Sequence, residues 1–379
     1  MIDKLKKIDK WMVLLLLAFM VASTFIVYSA TRANERFVDM EIKNLINYAL
    51  GFLVCFLIMQ INYRVFVRFA HWIYIGVIIL LCLVFVFGVE INGAKGWFRI
   101  GIGFDIQPAE LMKLALILFL AQRLGSNDGE PLRFFDDVLP LAIWVGLPFL
   151  LVVIQPDLGN AIIYFIIAIG MLWIANVRIR HVMIGLMSVM ILIGTLLWFY
   201  HTNHAWFEEN LKSHWVQRLD TFLDPTAVSK DASYQLDNSI RAIGSGGLTG
   251  EGYLQGSAVQ KKFIPYPYSD SIFVVIAEEF GFVGASVLIF IYFMFLARMI
   301  SIAQSCRDRT GAYIVIGILS MLLFQIFENI GMLIGIMPLT GITLPLISYG
   351  GSSLLMNMAC IGIVFSIQIH QNKLDEYLE

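Results

Sequence analysis

The sequence predicts an all-α polytopic membrane protein, with about ten transmembrane helices and a large extracytoplasmic loop between the seventh and eighth. Three observations carry this. Of 379 residues, 59% are hydrophobic and 14% charged, against roughly 45–50% and about 25% in soluble domains; the mean hydropathy is +0.79. Apolar segments of spanning length fall near 11–29, 44–61, 69–88, 108–123, 137–154, 159–176, 182–200, 271–297, 312–337 and 349–369, where a bilayer helix takes about 20 residues. Basic residues alternate in density from one loop to the next. A β-barrel would show short alternating segments instead. The composition excludes a soluble domain, a disordered chain, a coiled coil and a small disulfide scaffold. Residues 1–379 read as one transmembrane domain without a repeat of fixed period.

Taken in order, Lys4, Lys6, Lys7 and Lys10 lead into the first apolar run. That run, Trp11 to about Ser29, is too long for a signal-peptide core and has no small-residue cleavage site, so it reads as a retained first span. With the amino end inside, cytoplasmic loops hold Arg64, Arg68, Arg123, Arg133, Arg178, Arg180, Arg298, Arg307, Arg309 and Lys373. Short outer loops hold Arg32, Arg36, Lys43, Lys95 and Arg99, as the positive-inside rule requires. An even helix number returns the carboxyl end to the cytoplasm. Cys55, Cys82 and Cys360 lie in apolar runs and Cys306 among charges, so no disulfide framework is visible. A net charge of −2 gives no basic field for nucleic acid.

Segment 201–270 is too polar to span and too long for a plain connector. WFEENLKSHWVQRLDTFL mixes Trp206, Phe207, Trp215, Leu219 and Phe222 with charges, as a helix lying at the interface does. DPTAVSKDAS reads as a turn, YQLDNSIRAI as a short helix and GSGGLTGEGYLQGS as a glycine-rich outer stretch. The stretch lacks the GK[ST] ending of an ATP loop, although its amides could hold a pyrophosphate. His201, His204 and His214 have no acidic or cysteine partner at ligand spacing, which favours interfacial histidines over zinc. No hydrolase elbow occurs.

Charges at bilayer depth cost roughly 2.5–3.5 kcal/mol on insertion scales, so each needs a partner or a wet cavity. Glu110 and Lys113, three apart on one helical face after Pro108, admit two readings: an internal ion pair, or a polar wall offering Lys113 and nearby Arg99 to an anion. In VVIQPDLGNAIIY, Asp157 with Gly159 can simply turn the chain and cap the next helix. In IPYPYSDSIFVVIAEEFGFVG, Ser269 or Asp270 stands at an N-cap position. A carboxylate there, beside a helix's positive end, can also accept a proton from a hydroxyl. Glu278 and Glu279 two turns deeper, and Glu328 and Asn329 in the ninth span, must face protein or water.

ENIGMLIGIMPLTGITLPLISYGGSS (328–353) resembles the signature of the SEDS family, the shape, elongation, division and sporulation proteins that include RodA, FtsW and SpoVE. GWFRIG…IQPAELMKL (96–114), QPDLGNA (155–161), IRAIGSGGLTGEG (240–252) and SDSIFVVIAEEFGFVG (269–284) resemble the family's other blocks, in its order and over nearly the whole chain. The resemblance implies a peptidoglycan glycosyltransferase of the bacterial cytoplasmic membrane that polymerises lipid II on the outer face, beside a class B penicillin-binding protein as transpeptidase partner. Short tails lean toward a RodA-like elongation role over an FtsW-like division or SpoVE-like sporulation one.

The family's essential acidic residue lies in a block often written T-D-F-I-F. Here that block is Ser269-Asp270-Ser271-Ile272-Phe273, and YPYS replaces the common PE-x-H lead. The resemblance makes Asp270 the catalytic base. It places Arg99, Glu110, Lys113, Gln155, Asp157, Arg241, Glu278, Glu279, Glu328, Asn329, Ser348 and Ser352 around the substrate. In the implied reaction Asp270 takes the proton of the acceptor's GlcNAc 4-hydroxyl, which attacks the donor's MurNAc anomeric carbon with inversion. Lys113 and Arg99, with a divalent cation (Mg2+ or Mn2+) as a candidate helper, stabilise the departing undecaprenyl pyrophosphate. A lipid II flippase and a non-catalytic scaffold are the rival expectations.

Overall fold

The computed structural model describes residues 7–32, 37, 39–91, 94–100, 104–127, 129–203 and 230–371. The expected interfacial helix, His204, His214 and the carboxyl tail lie outside them. The long helices are α1 (Lys10–Arg32), α2 (Met40–Gln60), α4 (Ala70–Phe87), α5 (Pro108–Gly125), α6 (Leu139–Ile154), α7 (Leu158–Ile174), α8 (Ile179–Thr202), α11 (Ile272–Ser305), α12 (Arg309–Leu333) and α13 (Gly351–His370). Shorter ones are α3 (Tyr63–Arg68), α9 (Lys230–Ser245) and α10 (Ser257–Gln260). By length and composition, 7 helices among the described residues can cross a membrane. The other long helices are α5, which carries Glu110, Lys113 and Arg123, the 17-residue α7, and α8.

Local chemistry fixes the ends. Pro108 starts α5, where no backbone donor is lost. Asp157 caps α7, its carboxylate accepting from Asn160 N at 3.2 Å, and Asp308 caps α12 through Thr310 N at 3.2 Å. At one end of the bundle Asp9 accepts from Arg298 Nε at 2.8 Å, while its own N–H donates to Gln368 at 3.3 Å. Residues 9 and 368 therefore share that end.

The segment between α4 and α5 departs from the all-helical expectation. It forms a three-stranded antiparallel sheet, β1 (Val89–Ile91), β2 (Ala94–Ile100) and β3 (Phe104–Ile106), in the order β1-β2-β3. Val89, Ile91, Trp97, Phe98 and Ile100 favour strands. Outside the apolar spans, this short segment lacked a hydropathy signal.

Candidate active site

The signature segment between α12 and α13 is not helical, yet Leu344, Leu346, Ile347 and Ser348 are buried. Irregular backbone survives at such depth only when protein satisfies its polar groups. Here side chains do so one carbonyl at a time. Asn329 Nδ2 donates to Ile342 O at 2.7 Å, Tyr292 to Pro345 O, Tyr48 to Leu346 O, and Ser23 to Ile347 O at 2.6 Å.

This braced segment in turn holds the chain around Asp270. Ser348 Oγ donates to Ser269 O at 2.6 Å, Tyr349 N to Tyr268 O at 2.9 Å, and Asn329 Nδ2 to Asp270 O at 2.8 Å. The N-cap of α11 is Ser271 rather than Asp270, and Ser271 makes no side-chain capping bond. Asp270 is half-buried beside Gly341, which takes φ 77° and leaves room next to Oδ2. Tyr268 flanks it, within an aromatic group that includes Tyr349 (ring centroids 5.9 Å apart) and Tyr266 (6.4 Å). Burial pushes the Tyr268 phenol up to about 12, so it stays a neutral hydroxyl.

A buried polar cluster lies on α5 and α7, and Thr340 and Ile342, on either side of Gly341, pack against Gly159 at the start of α7. Lys113 Nζ donates to Glu110 at 2.7 Å with both residues buried, the internal ion pair. Gln107 Nε2 donates to Asp157 at 2.7 Å, and Asn160 Nδ2 to the same oxygen at 2.9 Å. Burial raises the Asp157 carboxyl, against the pull of the Asn160 donors. Lys113 and Asp157 both act electrostatically on Glu328, which is fully buried. Ser352 joins by accepting from Gln107 N at 3.2 Å. Gln107, Asn160 and Thr340 were missed as site residues. The first two sit inside the quoted IQPAELMKL and QPDLGNA blocks, and their amide side chains were the available signal.

Several expected substrate residues stand elsewhere. Arg99 is on β2, its side chain 57% exposed and paired with Asp105 at 3.3 Å. Arg241 is exposed on α9. Gln155 ties the α6–α7 hairpin to α4, donating to Leu81 O at 3.0 Å. Glu278 and Glu279 serve the outer loop instead of a cavity. Glu278 accepts from Ala258 N at 2.6 Å and Val259 N at 3.2 Å, and Glu279 accepts from Ser29 Oγ. The glycine-rich stretch has no spare amides at Gly250, Glu251 and Gly252, which donate to Gly246 O, Glu278 O and Glu279 O. That removes the simplest case for a pyrophosphate loop.

Among the described residues no three His, Cys, Asp or Glu side chains gather closely enough to hold a metal ion. Divalent Mg2+ favours carboxylate and phosphate oxygens, and it usually arrives with the substrate's phosphates.

Comparisons with known proteins agree with this architecture. The chain is 34% identical over 369 residues to the peptidoglycan glycosyltransferase MrdB of Escherichia coli (strain K12), covering 97% of this chain and 95% of that protein. It is 32% identical over 368 residues to stage V sporulation protein E of Bacillus subtilis (strain 168), covering 95% and 96%. Its fold matches, with TM-score 0.80 and 30% identity, a chain solved for the structural coordination of polymerization and crosslinking by a peptidoglycan synthase complex, covering 96% of this chain and 98% of that one. Rod shape determining protein RodA of Thermus thermophilus matches with TM-score 0.70 and 29% identity, covering 96% and 97%. Residues 7–373 match the cell cycle protein family of FtsW, RodA and SpoVE. The chain belongs to that family, the SEDS proteins.

Proposed function

We infer that the protein is a RodA-like peptidoglycan glycosyltransferase, polymerising lipid II at the outer face of the bacterial cytoplasmic membrane with both termini inside. The observation that carries this is the setting of Asp270. Asn329 holds its carbonyl and Ser348 that of Ser269 before it, and its half-buried carboxylate neighbours Gly341, in the segment whose Thr340 and Ile342 pack against Gly159 of the QPDLGNA block. A lipid-linked sugar needs that layout, with its tail in hydrocarbon and its reacting hydroxyl at a fixed carboxylate.

Asp270 accepts the proton of the acceptor hydroxyl as that oxygen bonds to the donor's anomeric carbon. The bond from that carbon to the diphosphate breaks, and its electron pair leaves with the diphosphate. One displacement inverts the carbon, and no acid is needed because the leaving group departs as an anion. Arg99, with its exposed guanidinium, meets the diphosphate at the surface. Lys113 offsets the buried carboxylates. A class B penicillin-binding protein is the proposed partner, in line with the synthase complex among the structural relatives.

The test is polymerisation of labelled lipid II by purified protein with its transpeptidase partner. Glycan chains should lengthen with wild type and not with Asp270→Asn, at equal expression and partner binding. A flippase makes no glycan. A variant that polymerises normally removes Asp270 as the base.

A further inference from the structure

Helix α11 is broken at Gly281, whose φ of 63° and ψ of −161° no side-chain-bearing residue adopts comfortably. A break strands carbonyls below it and N–H groups above it, and in a membrane each must find another partner. The glycine-rich loop supplies partners for four of them from one place. Glu251 N and Gly252 N donate to Glu278 O and Glu279 O at 2.9 and 3.1 Å. Phe282 N and Val283 N donate to Gly247 O and Leu248 O at 2.9 and 3.1 Å. Contact is close enough that a Cβ on Gly250 would lie 2.1 Å from Glu279 O.

The carboxylate of Glu278, fully buried, completes the join. It accepts from Ala258 N at 2.6 Å, Val259 N at 3.2 Å and Ser257 Oγ at 3.5 Å. Residues 272–280 are thus bonded to the loop where an unbroken helix would be bonded to its own next turn. We propose that Glu278 is a positioning residue: with the break at Gly281, its carboxylate fastens half-helix 272–280 to loop 246–259 and so holds Asp270 at its working position. This rests on the reading of Asp270 as the base.

Geometry sets the size of the effect. Glu278 stands about 9 Å along the helix from Ile272, at about 1.5 Å per residue. A tilt of roughly 10° about Glu278 then moves the start of the helix by about 1.5 Å, and misplacement of about 1 Å can cost about 100-fold in rate.

The experiment compares wild type, Glu278→Gln, Gly281→Ala and Asp270→Asn, purified in lipid nanodiscs. It reads lipid II polymerisation kinetics, melting temperature and hydrogen exchange of peptides covering 246–259 and 278–284. Glu278→Gln keeps the shape but replaces one of the two acceptor oxygens with an amide NH2, a donor set against a loop N–H. It should lower kcat about 10- to 100-fold at unchanged KM, and speed exchange in those two peptides only. Gly281→Ala should do the same more severely or fail to fold; the Gln variant carries the test in either case. Normal kcat despite faster exchange would overturn the proposal, as would a kcat loss no larger than the loss of folded protein. An active Asp270→Asn overturns the base assignment itself, a separate outcome.

Discussion

Replacing Asn329 by aspartate puts an acceptor where two buried carbonyls need a donor. Asn329 is fully buried, and its amide nitrogen serves Asp270 O at 2.8 Å and Ile342 O at 2.7 Å. Losing both bonds leaves two carbonyls without this donor, at about 1–3 kcal/mol each, so the expected cost is about 2–6 kcal/mol. Alanine should cost less than aspartate, because it removes the donor without adding an opposing oxygen. The measurement is thermal melting in detergent, with lipid II polymerisation on the surviving folded fraction. Aspartate should lower the melting temperature by several degrees and reduce turnover per folded molecule, since the Asp270 backbone loses a tether. An Asn329→Asp protein that melts and polymerises like wild type would refute the claim that this amide bridges the signature segment to the base.

Other outcomes follow from the same structure. Lys113→Gln strands Glu110, which is 5% exposed; breaking such a buried pair costs about 3–5 kcal/mol, seen as lost folded protein in the membrane. The neutral double variant Glu110→Gln/Lys113→Gln should recover most of it, and a double-mutant cycle measures how much. For Glu251, the Ser257 N–H at 2.8 Å holds the carboxyl below its ordinary 4.5. The folded value is the lower one, so this stabilisation is complete above about pH 4.5 and is lost as pH falls through the folded value. Pepsin cleavage within 251–260 should therefore rise more steeply across that acid window in wild type than in Glu251→Gln, where only Glu278 still titrates against the segment.

Much of the site was legible before any packing was known. Asp157 caps its helix and Pro108 starts another because those roles depend on neighbours within four residues. The Glu110–Lys113 pair follows from helical spacing. Asp270 resembled a cap by the same local logic, and there it misled: α11 begins one residue later, with Ser271 as its N-cap. Glu278 and Glu279 were expected to face protein or water, since a buried acid at membrane depth needs a partner or a wet cavity, and were counted among the substrate residues. Nothing local distinguishes that from a carboxylate capping a loop some 20 residues earlier in the chain.

Hydropathy and basic-residue spacing alone determined that this is a helical membrane protein and where its apolar helices fall, since partition between water and lipid is decided residue by residue. The tertiary structure decided which polar groups bond to one another. It folded the Arg99 segment into a sheet, gave the signature segment's carbonyls to Asn329, Tyr292, Tyr48 and Ser23, and gave the stranded groups at Gly281 to the glycine loop. Those pairings are non-local: a backbone group released from its helix bonds to whatever the fold brings within about 3 Å, and that distance is not written in the sequence around it.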